Sequence, residues 1–579
     1  MKKCTYIRVF ALGLVLVFLG VLIAALNQTD MGRVKIKQLS VVSDEGNAIK
    51  AVMYLPENAS KETPAPCLLA VHGGNSSRYA MSNIAQEFAR RGFVVVSIDQ
   101  SLNGQSDRAV NDYLGSEIVM KYIKTLEFVD QNKLATIGHS AGGGVTSMVV
   151  ANPQFEVNAC INLGVGPSVT PDVPINLAVI IGIADENTGP RGADTAVTGP
   201  GHYAKSSALA RAFGVEEGTE VVPGKDYGSL DAHNHRIFYQ PACGHLGALF
   251  STEAISLSLQ YAARVLNIEY KLNPDSQSWV VRELATAVAY IGMFVAVFGF
   301  VSVMLMRKKL MLHAPAQGHA RPNLLYWIGL AIFVAVPAIG IQNLYMTGRS
   351  FFTSISTSVF AMEHINGVIF WMLCTALIIL VANLILKKLD REYDWSFDKS
   401  ILVIDRKKLL NYALIAVCTF LICYGMVYLA GFFGNVCIRL YNTEVHLFTA
   451  TRFNVFWVYL PMYLLYYAII GYVQTSSLLC KKQPVWSQYV RTIIVSIAAP
   501  SIMLLIWYGS CIFTGDNPLF VWRFVLGVLL NFLPGMAVGA GIQVFSYRKT
   551  GNIWQGAFIN SILFSWMATS IGVMNAIVR

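Results

Sequence analysis

The stretch Ile137-Gly138-His139-Ser140-Ala141-Gly142-Gly143-Gly144 decides how this chain is read. It has the G-x-S-x-G form of a nucleophile elbow, a sharp strand-to-helix turn that holds a serine Oγ clear of the backbone. The turn leaves little room beside the serine, and Gly138, Gly142 and Gly143 put residues without side chains there. Upstream, Asn132-Lys133-Leu134-Ala135-Thr136-Ile137 reads as a short strand, and residues 145–150 continue as a helix. The pentapeptide alone specifies little, so its meaning depends on the segments around it.

Outward from the elbow the pattern is strand and helix in alternation. Residues 34–53 alternate as a first hairpin, and Cys67-Leu68-Leu69-Ala70-Val71 is a continuous apolar run ending in His72-Gly73-Gly74. Such a run suits a strand covered on both faces of a mainly parallel sheet. Residues 82–91 have helical periodicity, 93–98 read as the next strand, and 116–130 as a helix. Further strands are expected at 159–163, 178–181 and 236–239, with a closing helix over 252–266. This predicts a doubly wound α/β domain over residues 31–275.

Acyl transfer by serine needs a base to take its proton, a group that orients the base, and donors for the oxyanion. Ser140 is followed in chain order by Asp185, in Gly182-Ile183-Ala184-Asp185-Glu186, and by His245, in Cys243-Gly244-His245-Leu246-Gly247. Each follows a predicted strand, at the sheet edge where α/β folds hold ligands. The order nucleophile, acid, histidine is the one expected for an elbow serine. The backbone N–H of Ala141 is the first oxyanion donor expected, and Gly74 supplies the second. Glu186 competes with Asp185 for the acid role. Asp99 reads as a carboxylate that orders its loop, and His233 and His235 as surface or lid positions. His72 and His139 lie near the site with no assigned step. The insertion 186–231, with glycines at 189, 192, 199, 201 and 214, is predicted to be a mobile lid or recognition element.

On these residues the chain resembles the α/β-hydrolase superfamily over residues 34–270. It is most similar to the dienelactone-hydrolase and cutinase-like branch, through its Gly-His-Ser-x-Gly-Gly-Gly elbow and Gly-x-x-Asp acid motif. The resemblance implies ester hydrolysis through an acyl-enzyme at Ser140, with His245 as base and Asp185 orienting it. It identifies no substrate and does not extend to the C-terminal half.

Composition divides the rest. Only 13% of the 579 residues are charged, about half the usual share, and the mean hydropathy is +0.50. Residues 27–279 carry 19 basic and 25 acidic side chains, which leaves 25 basic and 9 acidic elsewhere. The excess that gives a pI near 9.0 therefore lies in the apolar part and does not indicate nucleic-acid binding. An apolar run over 9–26 reads as a signal anchor within residues 1–30. Eight more runs, near 281–305, 324–346, 366–386, 409–432, 453–474, 488–511, 518–546 and 553–576, are each long enough to cross a bilayer. Residues 276–579 are thus expected to form an eight-helix membrane domain, giving nine spans in all. Basic residues test the topology, because cytoplasmic loops collect Lys and Arg. Nineteen of them, among them Lys2, Lys3, Arg321, Lys481 and Lys482, fall on one side. Arg282, Arg349, Arg439, Arg452, Arg523 and Arg579 are left on the other. The α/β domain and the C-terminus are then extracytoplasmic.

No group of His, Cys and Asp has metal-ligand spacing, so neither a metal nor another cofactor is expected, and the ten cysteines read as buried apolar residues. Gly535-x-x-x-Gly539 suggests close helix packing. Glu363, His364, Arg439, Glu444, His446 and Arg452 fall near the outer surface, where solvation or a lipid head-group site would account for them. The expected partners are membrane lipids and an ester-bearing small molecule or lipid. Acyl transfer to an acceptor held by the bundle, or a transporter or sensor with an accessory hydrolase-like domain, are the alternatives.

Overall fold

The computed structural model describes residues 2–109, 113–167, 169–170, 172–190, 196–311, 322–480 and 483–574. Gly192, Arg321, Lys481, Lys482 and Arg579, all used above, lie outside the described residues. The chain starts with helix α1 (Lys2–Gln28), followed by strands β1 (Val34–Val42), β2 (Ala48–Pro56) and β3 (Ala65–Val71). Helix α2 (Ser82–Ala89), strand β4 (Val94–Ile98), helix α3 (Ser116–Lys124), strand β5 (Val129–His139) and helix α4 (Ala141–Ala151) lead through the elbow. Then come β6 (Ala159–Leu163), β7 (Asn176–Ile180), α5 (Ser207–Ala212), β8 (Asp226–Tyr227), β9 (Arg236–Tyr239) and α6 (Thr252–Leu266).

These strands form one nine-stranded sheet in the order β1-β2-β4-β3-β5-β6-β7-β9-β8. From β4 to β9 neighbouring strands are parallel. The β1–β2 hairpin closes one edge and β8 the other, each antiparallel to its neighbour. The unbroken apolar run of β3 is explained by cover on both faces. Leu68 and Ala70 join Val95 and Ile137 beneath Phe88 of α2 and Leu259 of α6. Cys67, Leu69 and Val71 join Val94 and Leu134 against Val119 of α3 and Val145 of α4. Each such apolar side chain contributes roughly 1.5–3 kcal/mol on burial. Connections from β3 run toward β4 and those from β5 toward β6, so the strand order reverses between β3 and β5. A ligand crevice opens at such a point, at the carboxyl ends of the strands.

The second half is helical, with α7 (Trp279–Arg307), α8 (Leu324–Ile355), α9 (Glu363–Leu389), the short α10 (Trp395–Leu402) and α11 (Arg406–Gly434). A two-stranded hairpin follows, β10 (Arg439–Leu440) and β11 (Thr443–Glu444). The remaining helices are α12 (Ala450–Leu478), α13 (Val485–Thr514), α14 (Arg523–Thr550) and α15 (Trp554–Thr569). Among the described residues, eight helices are long and apolar enough to cross a membrane: α1, α7, α8, α9, α11, α12, α13 and the helix ending at Thr550. The stretch expected as a ninth span, 553–576, is not among these eight. Helix α15 has 16 residues, about 24 Å of rise against the roughly 30 Å of a hydrocarbon core. It still returns the chain to the sheet, where the Met574 N–H donates to Leu102 O at 3.1 Å.

Helices α1 and α7 meet backbone to backbone. A Cβ on Gly13 would lie 2.3 Å from Ala296 N, and one on Gly299 would lie 2.3 Å from Phe10 N. Small residues at such a seam permit the close approach that drives apolar helices together. The two ends of the bundle differ. Lys549 at the end of α14 donates to Tyr6 Oη at 2.8 Å, whereas Asn27 at the other end of α1 accepts from Gln86 of the sheet half. Arg439, Arg452 and Arg523 all sit at the sheet end.

Candidate active site

Ser140 sits between β5 and α4 with φ 53° and ψ −122°. A non-glycine residue held there costs on the order of 1–3 kcal/mol and persists only where its surroundings enforce it. The enforcement is visible: the Ser140 N–H donates to Leu163 O at 2.9 Å, and the Gly143 N–H returns to Ser140 O at 2.9 Å. A Cβ on Gly142 would lie 2.3 Å from Val71 O, so the helix start can press against the end of β3 only without a side chain. The elbow expected from the sequence is therefore formed.

The histidine and the acid come together as expected. His245 Nδ1 lies 3.1 and 3.0 Å from the two carboxylate oxygens of Asp185. Asp185 is fully buried and His245 is buried at the rim. That contact places the proton on Nδ1 and leaves Nε2 as the basic nitrogen. In this structure Nε2 faces the Asn187 amide, which donates to it at 3.2 Å. Ser140 and His245 line one cavity of about 200 Å³, together with Gly73, Gly74 and Ala141. Ala141 is the first residue of α4, so its N–H belongs to the set without an intrahelical acceptor. A Cβ on Gly73 would lie 3.1 Å from Ser140 Cβ, which keeps this loop close to the nucleophile.

Glu186, the competitor for the acid role, has another task. One of its oxygens accepts the His245 backbone N–H at 2.6 Å and the other accepts the Tyr508 hydroxyl at 2.7 Å. Burial raises its carboxyl above the usual range, and the Asp185 charge adds to this. Glu186 thus ties the histidine loop to α13. His139 donates from Nε2 to His245 O at 3.0 Å. Burial and then the neighbouring His245 push its pKa down to about 3, so it stays neutral. His72 accepts the Gln100 N–H at Nε2 (3.0 Å) and reaches Gly73 O through Nδ1 (2.6 Å), bracing the loop that carries Gly74. Asp99 orders its loop as expected, accepting the Arg78 N–H at 2.6 Å and the Gln105 N–H at 2.9 Å. His235 is corrected from surface to interior: it is 2% exposed and held by Asp226 at 3.0 Å, beneath the sheet edge.

The other wall of the cavity comes from the helical half. His364 of α9, Asn442 after the β10 strand, Trp507 of α13, and Arg523, Phe524 and Asn531 of α14 face Ser140 across it. The sequence places some of these near the outer surface but not over the serine. The expected solvated ring is corrected too, since Arg439 is 1% and Arg452 0% exposed. Arg452 donates to Gly104 O at 2.6 Å, Gly572 O at 2.8 Å, Thr569 O at 3.0 Å and Leu102 O at 3.4 Å. Arg439 donates to Tyr79 O at 2.5 Å and pairs with Glu283. The described residues of the insertion 186–231 are fastened rather than free. Asn517 donates to Glu186 O and Thr188 O, Gly201 N donates to Gly515 O, and β8 joins the sheet.

Cys437, Glu444 and His446 bring ligand atoms within 4.8 Å of one another, a grouping that their spacing does not announce. Glu444 is already engaged there by His446 (2.8 Å) and by the Ser77 hydroxyl (2.6 Å). All ten cysteines are free, and burial raises the thiol of Cys243, beside the catalytic loop, to about 12.

Residues 66–187 match the family model of the α/β hydrolase fold. The chain is 28% identical over 108 residues to the uncharacterized protein YcjY of Escherichia coli (strain K12), covering 17% of this chain and 35% of that protein. It therefore spans about a third of that curated relative's length. Among solved structures, it is similar to a dienelactone hydrolase from Anabaena variabilis, at 19% identity, a TM-score of 0.27 and coverage of 40% of this chain and 98% of that one. It is also similar to MGS-M1, an α/β hydrolase from a deep-sea metagenome, at 16% identity, a TM-score of 0.29 and coverage of 41% and 99%. With the sheet order and the elbow described above, residues 66–187 are an α/β-hydrolase segment.

Proposed function

We propose that this chain is a serine ester hydrolase held in a membrane by its long helices, with the sheet on the extracytoplasmic side. Residues 1–30 form the anchor, 31–275 the hydrolase domain and 276–579 the helical domain. The observation that carries the reading is Ser140, at φ 53°, sharing a cavity with a histidine whose Nδ1 lies 3.0 Å from a buried aspartate.

The chemistry follows from that arrangement. His245 Nε2 exchanges the Asn187 amide for the Ser140 hydroxyl and takes its proton as Oγ bonds to the ester carbonyl carbon. The N–H groups of Ala141 and Gly74 receive the oxyanion, and one such donor is worth about 10²–10³ in rate. Collapse breaks the carbon–oxygen bond, and His245 passes the proton to the departing alcohol. A water, deprotonated by His245, then releases the acid from Ser140. Asp185 stays ionised throughout and holds the imidazole in the Nδ1–H form. The helical roof over the cavity favours a substrate that is lipidic or presented at the membrane surface. It also favours a second reading, in which an alcohol or amine held by the helices replaces water as acyl acceptor.

Labelling with a fluorophosphonate tests the first claim: wild type is expected to react and Ser140→Ala not to. Equal labelling of both, or none of either in folded protein, would sink it. Ester assays with and without added alcohols separate free acid from a new ester as product.

A further inference from the structure

A second, smaller cavity of about 60 Å³ adjoins the first and runs into the helical bundle between α9, α14 and α15. The two share Asn75, next to the oxyanion loop, and Asn442 and Asn531. Beyond that collar, Phe564 and Met567 of α15 and Gly535 of α14 form an apolar part of the wall, beside Ser76, Thr443 and Glu444. We propose that this slot receives the acyl group of the ester, that the group is short, and that Gly535 sets its length. The proposal deepens the hydrolase reading and rests on it.

Three observations support it. First, Gly535 is not packed as a helix-seam glycine. At the α1–α7 seam an added Cβ would meet backbone at 2.3 Å, whereas at Gly535 it would meet only the ends of the Phe564 and Met567 side chains, at 3.2 and 3.6 Å. A glycine inside a helix costs about 1 kcal/mol relative to alanine, and here no backbone contact requires it; what its missing side chain leaves is the slot. Second, Asn442 Nδ2 donates to Asn531 Oδ1 at 3.0 Å, while Asn442 Oδ1 is buried with no partner. An unsatisfied buried acceptor costs about 1–3 kcal/mol, and a donor from ligand or water at this junction would remove that penalty. Third, the two halves of an ester leave at different times. The alcohol departs first and suits the larger cavity, edged by His364 and Arg523. The acyl group stays on Ser140 until water arrives and suits a narrow apolar recess. On this measure one water needs about 10–15 Å³, so 60 Å³ is on the order of four to six waters, room for an acetyl to butyryl chain and not for a fatty-acyl tail.

The test uses the full chain in detergent with p-nitrophenyl acetate, butyrate, octanoate and dodecanoate, alongside Ser140 labelling by a small fluorophosphonate. Wild type is expected to turn over acetate and butyrate at least tenfold faster than octanoate. Gly535→Val should lower the butyrate-to-acetate ratio of kcat/KM about tenfold, and Phe564→Ala should raise octanoate turnover by a similar factor. Both variants should still label at Ser140. A wild type that prefers long chains overturns the slot, as does an unchanged chain-length profile in variants that still label. If Gly535→Val does not fold, Phe564→Ala decides alone. Loss of Ser140-dependent labelling in wild type overturns the hydrolase reading itself, and the slot with it.

Discussion

The cavity around Ser140 has a floor made of strand ends and a roof made of helix ends, and different bonds hold each. In the floor, Ser140, Asp185 and His245 are fixed by contacts within the sheet half itself: the Ser140 and Gly143 N–H bonds across the elbow, and Asp185 on His245. In the roof, groups from residues 364–531 are aligned by gripping the floor, through Tyr508 on Glu186 and Asn517 on Glu186 O. On the proposed reading the floor sets whether a bond can break, and the roof sets which molecule lies over it and how steadily the histidine loop is held.

Substitutions can break this division, and the largest effects belong to the floor. Ser140→Ala is expected to lower kcat by about 10⁵ or more, and Asp185→Asn by about 10⁴ through loss of the correct imidazole tautomer, both read in an ester assay with thermal stability unchanged. A loss below tenfold for Asp185→Asn would remove it from the triad. Next comes the clamp: Arg452→Met leaves the carbonyls of Gly104, Thr569 and Gly572 without this donor, and should destabilise the protein by about 3 kcal/mol, seen as a lowered unfolding temperature in detergent. A roof–floor bond should matter less. Tyr508→Phe removes one hydrogen bond to Glu186, worth about 1 kcal/mol, so kcat should fall up to tenfold while Ser140 labelling persists. If KM moves instead, Tyr508 contacts substrate rather than steadying His245.

A pH-dependent effect concerns His139. Its folded pKa, about 3, is depressed below the unfolded value near 6.5. Above pH 6.5 both states are neutral at this residue; below it the unfolded chain takes up the proton, so stability is lost as pH falls from 6.5 toward 3. His139→Gln, which keeps a donor for His245 O, should show a shallower decline of unfolding temperature over that window. An unchanged slope would assign the acid sensitivity to other groups.

The floor was legible because its chemistry depends on short motifs. Gly-x-Ser-x-Gly, the glycines after His72, and an acid and a histidine following their strands each announce themselves locally. Glu186 was noticed for the wrong reason, since its partner Tyr508 lies 322 residues away and no spacing rule connects them. Asn187 gave no signal at all. The roof was legible as hydrophobic length but not as a surface: periodicity marks α14 as a helix without saying that Asn531 and Gly535 face a cavity. The overlong ninth span arose because apolar composition continues past Thr569, where the chain leaves the helix to meet the sheet. His235 was misplaced because β8, two residues long, is too short to show as a strand.

The glycine seam between α1 and α7 has a consequence for biogenesis. The two helices are sequence neighbours only through the roughly 250 residues of the sheet half, so the first helix made waits for a partner that does not yet exist. At ~5–20 residues per second, the interval before α7 emerges is on the order of tens of seconds, during which Gly13 has no packing partner. The sheet half has that interval in which to fold as a loop tethered at one end. Closing the seam then brings the two ends of the sheet half together, so α1–α7 pairing acts as the latch that ends assembly of the first half.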